Sequence, residues 1–166
     1  MEQQINDLRI RLITPEDREK VAVFFSKLGE EGSTFFNRGH GNENVALDFC
    51  DGNRPNHIYW AAVADTDEGE EIAGIVFLWD KNSMVPWLGI GITEQWKGRH
   101  LGRRLMQTAR EYCESIGAGG ILLTTAVNNV RGQGLYERCG YQKLGHHLDG
   151  EFQYILRFPN KNESNS

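Results

Sequence analysis

A strand that runs straight into a glycine-punctuated, basic helix start constrains this chain more than any other feature. Trp87-Leu88-Gly89-Ile90-Gly91-Ile92 is apolar and strand-sized. Thr93-Glu94-Gln95-Trp96-Lys97-Gly98-Arg99-His100-Leu101-Gly102-Arg103-Arg104-Leu105 then makes a tight turn and opens a helix. The first N–H groups of a helix have no intrahelical acceptor, and the aligned peptide dipoles add partial positive charge there. Gly98 and Gly102 let backbone come close to a ligand, and Lys97, Arg99, Arg103, Arg104 and Arg110 follow one another with no acid between them. The bland alternative is a solvated basic helix start. Glycines, cations and a strand-to-helix junction coincide, however, and together they predict a phosphate or pyrophosphate site. It is neither a P-loop, which needs a Gly-Lys-Ser/Thr ending, nor a dinucleotide fingerprint.

The rest of the composition narrows the class. The chain has 166 residues, which suits one domain, expected over 1–158 with a polar tail over 159–166. At this size roughly 70% of the unfolded surface can be buried, so no disulfide or metal staple is needed. A net charge of −5 argues against a nucleic-acid binder, which would need a basic surface. No apolar run has the length of a membrane span, and Met1-Glu2-Gln3-Gln4-Ile5-Asn6-Asp7 lacks the order of a signal peptide. Cys50, Cys113 and Cys139 are odd in number and widely spaced, which predicts reduced thiols in a cytoplasmic protein. His146 and His147 are adjacent on a strand and point to opposite faces, so no metal site is expected.

Periodicity predicts a half-buried strand over 8–13, then a helix entered at Thr14-Pro15-Glu16-Asp17 and stopped by Gly29. Residues 32–56 are rich in glycine and asparagine and read as a loop, with one short helix over 45–49. Strands follow over 58–64, 72–79 and 85–92. A helix over 99–116 carries Leu101, Leu105, Ala109, Tyr112 and Ile116 on one face. A strand over 121–127, a short helix over 131–138 and a hairpin of strands 141–147 and 152–158 across Asp149-Gly150 complete the chain. The fold class is mixed α/β (α+β), with an antiparallel front half and one strand–helix–strand crossover between parallel strands. Trp60, Trp79 and Trp87 read as core.

A second constellation is Asn129-Val130-Arg131-Gly132-Gln133-Gly134-Leu135-Tyr136-Glu137-Arg138-Cys139-Gly140-Tyr141. Asn129 suits a helix cap or a contact to a ligand's amides. Two glycines in a short helix cost roughly 1 kcal/mol each, which makes sense where backbone passes close to something bulky. Tyr136 is the only phenol on this helix. These residues resemble the GNAT superfamily of N-acetyltransferases. The family's pyrophosphate signature aligns on Lys97, Gly98, Arg99, His100, Leu101 and Gly102, with Lys97 and His100 departing from it. A later motif aligns on Asn129, Gly132, Leu135, Tyr136, Gly140 and Tyr141 with mild changes.

The resemblance implies a seven-stranded, mostly antiparallel sheet with a splayed parallel pair and helices on both faces. It implies acetyl-CoA as co-substrate, its pyrophosphate on backbone amides from about Arg99 to Arg103. It also implies main chain of Ile90 and Ile92 along the pantetheine arm, Asn129 on the cofactor and Tyr136 near the sulfur. Acyl transfer then needs an oxyanion donor, for which an N–H near Ile90 or Gly91 serves, and a proton donor, for which Tyr136 serves. The general base is open: the strand carries no carboxylate, Glu94 is the first candidate, and a held water is the alternative. His57, Asp48 and Glu43 are more distant choices. The acceptor, expected to be a primary amine, would enter beside residues 32–56, where Glu30, Glu31, Glu43, Asp48 and Asp51 surround Phe35, Phe36 and Phe49. Two functional classes stay open, an N-acetyltransferase and a non-catalytic acyl-CoA-binding module of the same fold. An exposed hairpin edge suggests a homodimer.

Overall fold

The computed structural model describes residues 8–147 and 150–159. The expected tail beyond Pro159 and Asp149 of the hairpin turn lie outside the described residues. In chain order the elements are β1 (Arg9–Leu12), α1 (Arg18–Ser26), α2 (Gly29–Phe35), α3 (Gly41–Cys50), β2 (Ile58–Thr66), β3 (Gly69–Trp79) and β4 (Trp87–Ile92). Then come α4 (Leu101–Ser115), β5 (Gly120–Ala126), α5 (Val130–Arg138), β6 (Gln142–His147) and β7 (Glu151–Arg157). All seven strands form one sheet in the order β1-β2-β3-β4-β5-β7-β6. Every pairing is antiparallel except that of β4 with β5, the pair that α4 connects.

The sheet has an apolar core on each face. On one side β2 and β3 bury Tyr59, Ile72, Ile75 and Phe77 against Val21, Phe24 and Phe25 of α1 and Ala46 and Cys50 of α3. On the other side Val76, Leu78, Ile121 and Leu123 meet Leu101, Leu105, Met106, Ala109 and Cys113 of α4. Burying one such leucine or isoleucine stabilises the fold by about 1.5–3 kcal/mol. Close approach of α4 explains Gly74: a Cβ there would lie 2.8 Å from Leu105 and 3.3 Å from Leu101. The α4 stripe differs from expectation at its end. Ile116 is 43% exposed, because the helix stops at Ser115 and Gly117 turns the chain with φ 74°. Among the described residues no helix is long and apolar enough to cross a membrane.

Residues 29–50 are not a loop. Gly29, at φ 81°, ends the run of α1 and immediately begins α2, and α3 covers ten residues in place of the expected five. The links between these short helices are tied by amide side chains. Asn37 is buried and accepts from the Glu43 N–H at 2.9 Å, while Asn42 donates to the Phe36 carbonyl. These bonds set Phe36 over β4, and that position shapes the site.

Candidate active site

β4 and β5 touch at one end only. They are paired at Trp87 and Leu122, where the Leu122 N–H donates to the Pro86 carbonyl at 2.9 Å, and no further rungs join them. Main-chain groups alternate sides along a strand. Pro86 faces β5, so Leu88, Ile90 and Ile92 also present N–H and C=O toward β5. The odd-numbered residues face β3, as the Thr93 N–H donating to Ala73 at 3.0 Å confirms. Beyond Leu88 this edge of β4 therefore stands open, in keeping with the splayed parallel pair that the resemblance implies.

The two glycines of β4 serve the opposite face. A Cβ on Gly91 would lie well inside van der Waals contact with the Phe36 ring, and one on Gly89 would do the same with the Phe77 ring. Phe36 stacks on Phe25 at 5.7 Å and leans on Phe77 at 6.1 Å. An aromatic roof thus lies directly on the backbone where the strands part.

Two cavities meet at this opening. The first, about 440 Å³, runs from Ile90 and Ile92 to the start of α4. Of the expected cofactor residues, Ile90, Ile92, Lys97, Gly98, His100, Gly102, Arg103, Asn129 and Tyr136 line it. Arg99 and Leu101 do not: the Arg99 guanidinium lies 5.0 Å from the Trp96 ring centre, and Leu101 is core. Gly98 and His100 both have positive φ, 76° and 62°, and His100 takes this left-handed conformation at the N-cap of α4. This folds the loop back and leaves the N–H groups of Leu101, Gly102 and Arg103 without a loop carbonyl to accept them. Gly102 is small because α4 meets α5 there, with Leu135 3.0 Å from where its Cβ would be. Arg131 and Arg138 of α5 also line the cavity, and the sequence reading missed both. Their signal was available as a second basic helix face opposite the first. Lys97 is partly neutralised by Glu94 at 3.3 Å and Glu31 at 4.0 Å, whereas Arg103, Arg131 and Arg138 have no carboxylate partner among the described residues. The donor set is thus backbone N–H groups and guanidinium groups around an open strand edge, which suits a coenzyme carrying a pyrophosphate and an amide-bearing arm.

Asn129 serves as a cap. Its Oδ1 accepts from the Gly132 N–H at 3.1 Å and its Nδ2 donates to Thr125 Oγ1 at 3.0 Å. A Cβ on Gly132 would press on that amide, so the cap accounts for one glycine of α5. Glu94 does not line either cavity: its side chain is 67% exposed and its carboxylate faces Lys97.

The second cavity, about 840 Å³, lies on the far side of Phe36 and is bordered by Phe77, Trp79, Trp87, Asp80 and Glu151. Trp79 and Trp87 are therefore half-buried cavity walls rather than pure core. Trp79 is held by stacking on Phe77 at 4.9 Å and by donating to Tyr59 Oη at 3.1 Å. Phe35 and Phe36 line this cavity, and Phe49 packs on Tyr59 instead. The acids of the neighbouring segment do not: Glu43 holds His40 at 3.0 Å, Asp48 holds Arg54 at 3.2 Å and Asp51 holds Arg18 at 2.8 Å. His57 packs on Trp79, and burial pushes its pKa down. Asp80 and Glu151 were missed because each is a lone acid at a strand end, with nothing in the sequence to bring them together.

Tyr136 lines both cavities. It is 8% exposed, its hydroxyl makes no hydrogen bond among the described residues, and burial pushes its pKa up to about 12. Ile90, Asn129, Phe35 and Phe36 share the junction with it.

The sequence model of the Acetyltransferase (GNAT) family matches residues 25–141. The chain belongs to the GNAT acetyltransferase family. Solved GNAT-fold structures resemble it over most of its length. A domain from Methanocaldococcus jannaschii is 22% identical with a TM-score of 0.74, covering 91% of this chain and 98% of its own. The GNAT domain of S. lividans PAT is 15% identical with a TM-score of 0.75, covering 91% and 90%. PaiA N-acetyltransferase from Thermoplasma acidophilum, solved in complex with coenzyme A, is 13% identical with a TM-score of 0.74, covering 91% and 99%. At these identities the likeness is one of fold. No curated protein matches the chain in sequence.

Proposed function

We propose that the protein is an N-acetyltransferase that moves an acetyl group from acetyl-CoA directly to a primary amine of a small molecule, peptide or protein, within a ternary complex in the cytoplasm. The observation that carries this reading is Tyr136, whose hydroxyl makes no hydrogen bond among the described residues and stands where a basic, amide-lined cavity meets an aromatic one. Bound acetyl-CoA supplies the activated acetyl group. Lys97, Gly98, His100, Gly102 and Arg103, with the N–H groups that open α4, hold the pyrophosphate, aided by the main chain of Arg99 and Leu101. Ile90 and Ile92 pair with the pantetheine arm, and Asn129 stands beside it.

The chain's own groups divide the remaining work. The Ile90 N–H, on the open edge of β4, donates to a carbonyl oxygen that gains negative charge. Tyr136 holds its proton throughout the neutral range and gives it to the departing thiolate. Asp80 and Glu151 border the acceptor cavity and take the proton of the incoming ammonium directly or through water, a role in which Glu94 would first have to leave Lys97. A homodimer through β6 stays part of the proposal, although the bulge between Lys143 and Gly145 disfavours pairing along that edge. Coenzyme A release across a panel of cationic and neutral primary amines tests the reading. Turnover with at least one amine is expected; binding of acetyl-CoA with no turnover on any of them overturns it in favour of a binding module.

A further inference from the structure

A third cavity, about 200 Å³, lies between α4 and the end of α5. One wall is a single stripe of α4: Arg103, Met106, Gln107 and Arg110 follow at i, i+3, i+4 and i+7, which puts them on one face over about 10 Å of helix. Arg138 and Cys139 form the opposite wall, and Tyr141 with Leu156 close it from the sheet. The volume is several times the ~30 Å³ that one water occupies in the liquid.

Its chemistry is one-sided. Arg103 and Arg138 have no carboxylate partner among the described residues. Arg110 is shared with Glu114 at 2.9 Å and rests 5.8 Å from the Phe158 ring, and Gln107 donates to Glu111 at 3.2 Å. These two glutamates are exposed and are the carboxylates that compete for the stripe. Tyr141 is 4% exposed and its hydroxyl is buried with no hydrogen-bond partner. A buried hydroxyl left unpaired costs about 1–3 kcal/mol, so a ligand that accepts from it is favoured. Burial pushes the Cys139 thiol up while Arg103, Arg138 and Arg110 pull it down, so all three guanidinium groups act on one point of the wall.

We propose that this cavity binds a phosphate monoester dianion, held by Arg103, Arg110 and Arg138 with the Gln107 amide and the Tyr141 hydroxyl as further donors. Guanidinium pairs with phosphate through parallel N–H bonds, and three of them around a small volume suit two negative charges on one tetrahedral group. Arg103 and Arg138 also line the first cavity, so the monoester is either the 3′-phosphate of bound coenzyme A or a free phosphate beside it. Only the first source rests on the proposed function.

Calorimetry at low salt on the whole chain, with coenzyme A, 3′-dephospho-coenzyme A and inorganic phosphate, separates these sources. If the phosphate belongs to the coenzyme, the dephospho form binds at least about tenfold more weakly, and Arg110→Gln abolishes the difference. If it is free, the two coenzymes bind alike, while inorganic phosphate binds saturably and Arg110→Gln weakens it about tenfold. Tyr141→Phe, which keeps the ring, is expected to weaken the same ligand several-fold without lowering the melting temperature. Equal binding of the two coenzymes together with no Arg110-sensitive phosphate binding overturns the site. Saturable phosphate binding with no affinity for either coenzyme keeps the site and sinks the acetyltransferase reading.

Discussion

Replacing Tyr136 by phenylalanine removes one oxygen and, within the chain, no hydrogen bond, because the hydroxyl has no partner among the described residues. No hydrogen bond among the described residues is lost, so Tyr136→Phe should fold with stability unchanged to within about 1 kcal/mol. Cofactor affinity should change by at most about tenfold, the worth of one neutral hydrogen bond. Loss of a positioned proton donor, by contrast, lowers kcat about 10²–10⁴-fold, or about 2.7–5.4 kcal/mol of barrier. Burial raises the Tyr136 pKa to about 12, so the donor stays protonated and contributes no falling limb to the rate below that pH. The sign for stability follows: a raised folded-state value favours the fold below about pH 10 and is lost as pH climbs toward 12. Thiol release, calorimetry with coenzyme A and thermal melts on the same preparations read the three quantities separately. A kcat within tenfold of wild type, with tight cofactor binding, would refute the proton-donor role.

Asp17 is buried and accepts from both Arg11 nitrogens, at 2.8 and 2.9 Å, and from the Thr14 N–H at 2.9 Å; the Arg11 guanidinium holds its pKa below the usual range. Asp17→Asn should cost about 2–4 kcal/mol at pH 7 in denaturant melts. The lowered carboxyl supports the fold above about pH 4, so the gap to wild type should close as pH falls below that. Gly91→Ala pushes a methyl against the Phe36 ring and should cost about 1–3 kcal/mol by the same melts. A double-mutant cycle with Phe36→Ala should recover part of that cost, and strict additivity would place Phe36 elsewhere. At His100, with φ 62°, Gly should be more stable than Ala by about 1 kcal/mol.

The strands and α4 were legible because alternation and the 3.6-residue stripe are local signals, and Gly98, Gly102 and Asn129 sit where motif spacing puts them. The segment 29–50 was not. Its helices are short and interrupted by Gly29 and by left-handed Gly39 and His40, so no window shows a clean period. They form because Asn37 and Asn42 tie their ends and the sheet covers Ala46 and Cys50. The same local view sent Asp48 and Asp51 toward the acceptor, although Arg54 and Arg18, distant or unremarkable in sequence, hold them outside it. Arg131 and Arg138 show in the sequence only as a second basic helix face, whereas Asp80 and Glu151 gain meaning only when the sheet brings strand ends around one opening, and no local pattern encodes that.

In the proposed function, the open edge of β4 and the amides that begin α4 are what hold the coenzyme. Residue-resolved hydrogen exchange with and without acetyl-CoA tests this most directly. Marked slowing is expected at Ile90 and Ile92 and at Leu101, Gly102 and Arg103, with little change in β1 or β2. Binding that leaves those amides exchanging at their unliganded rates would contradict it.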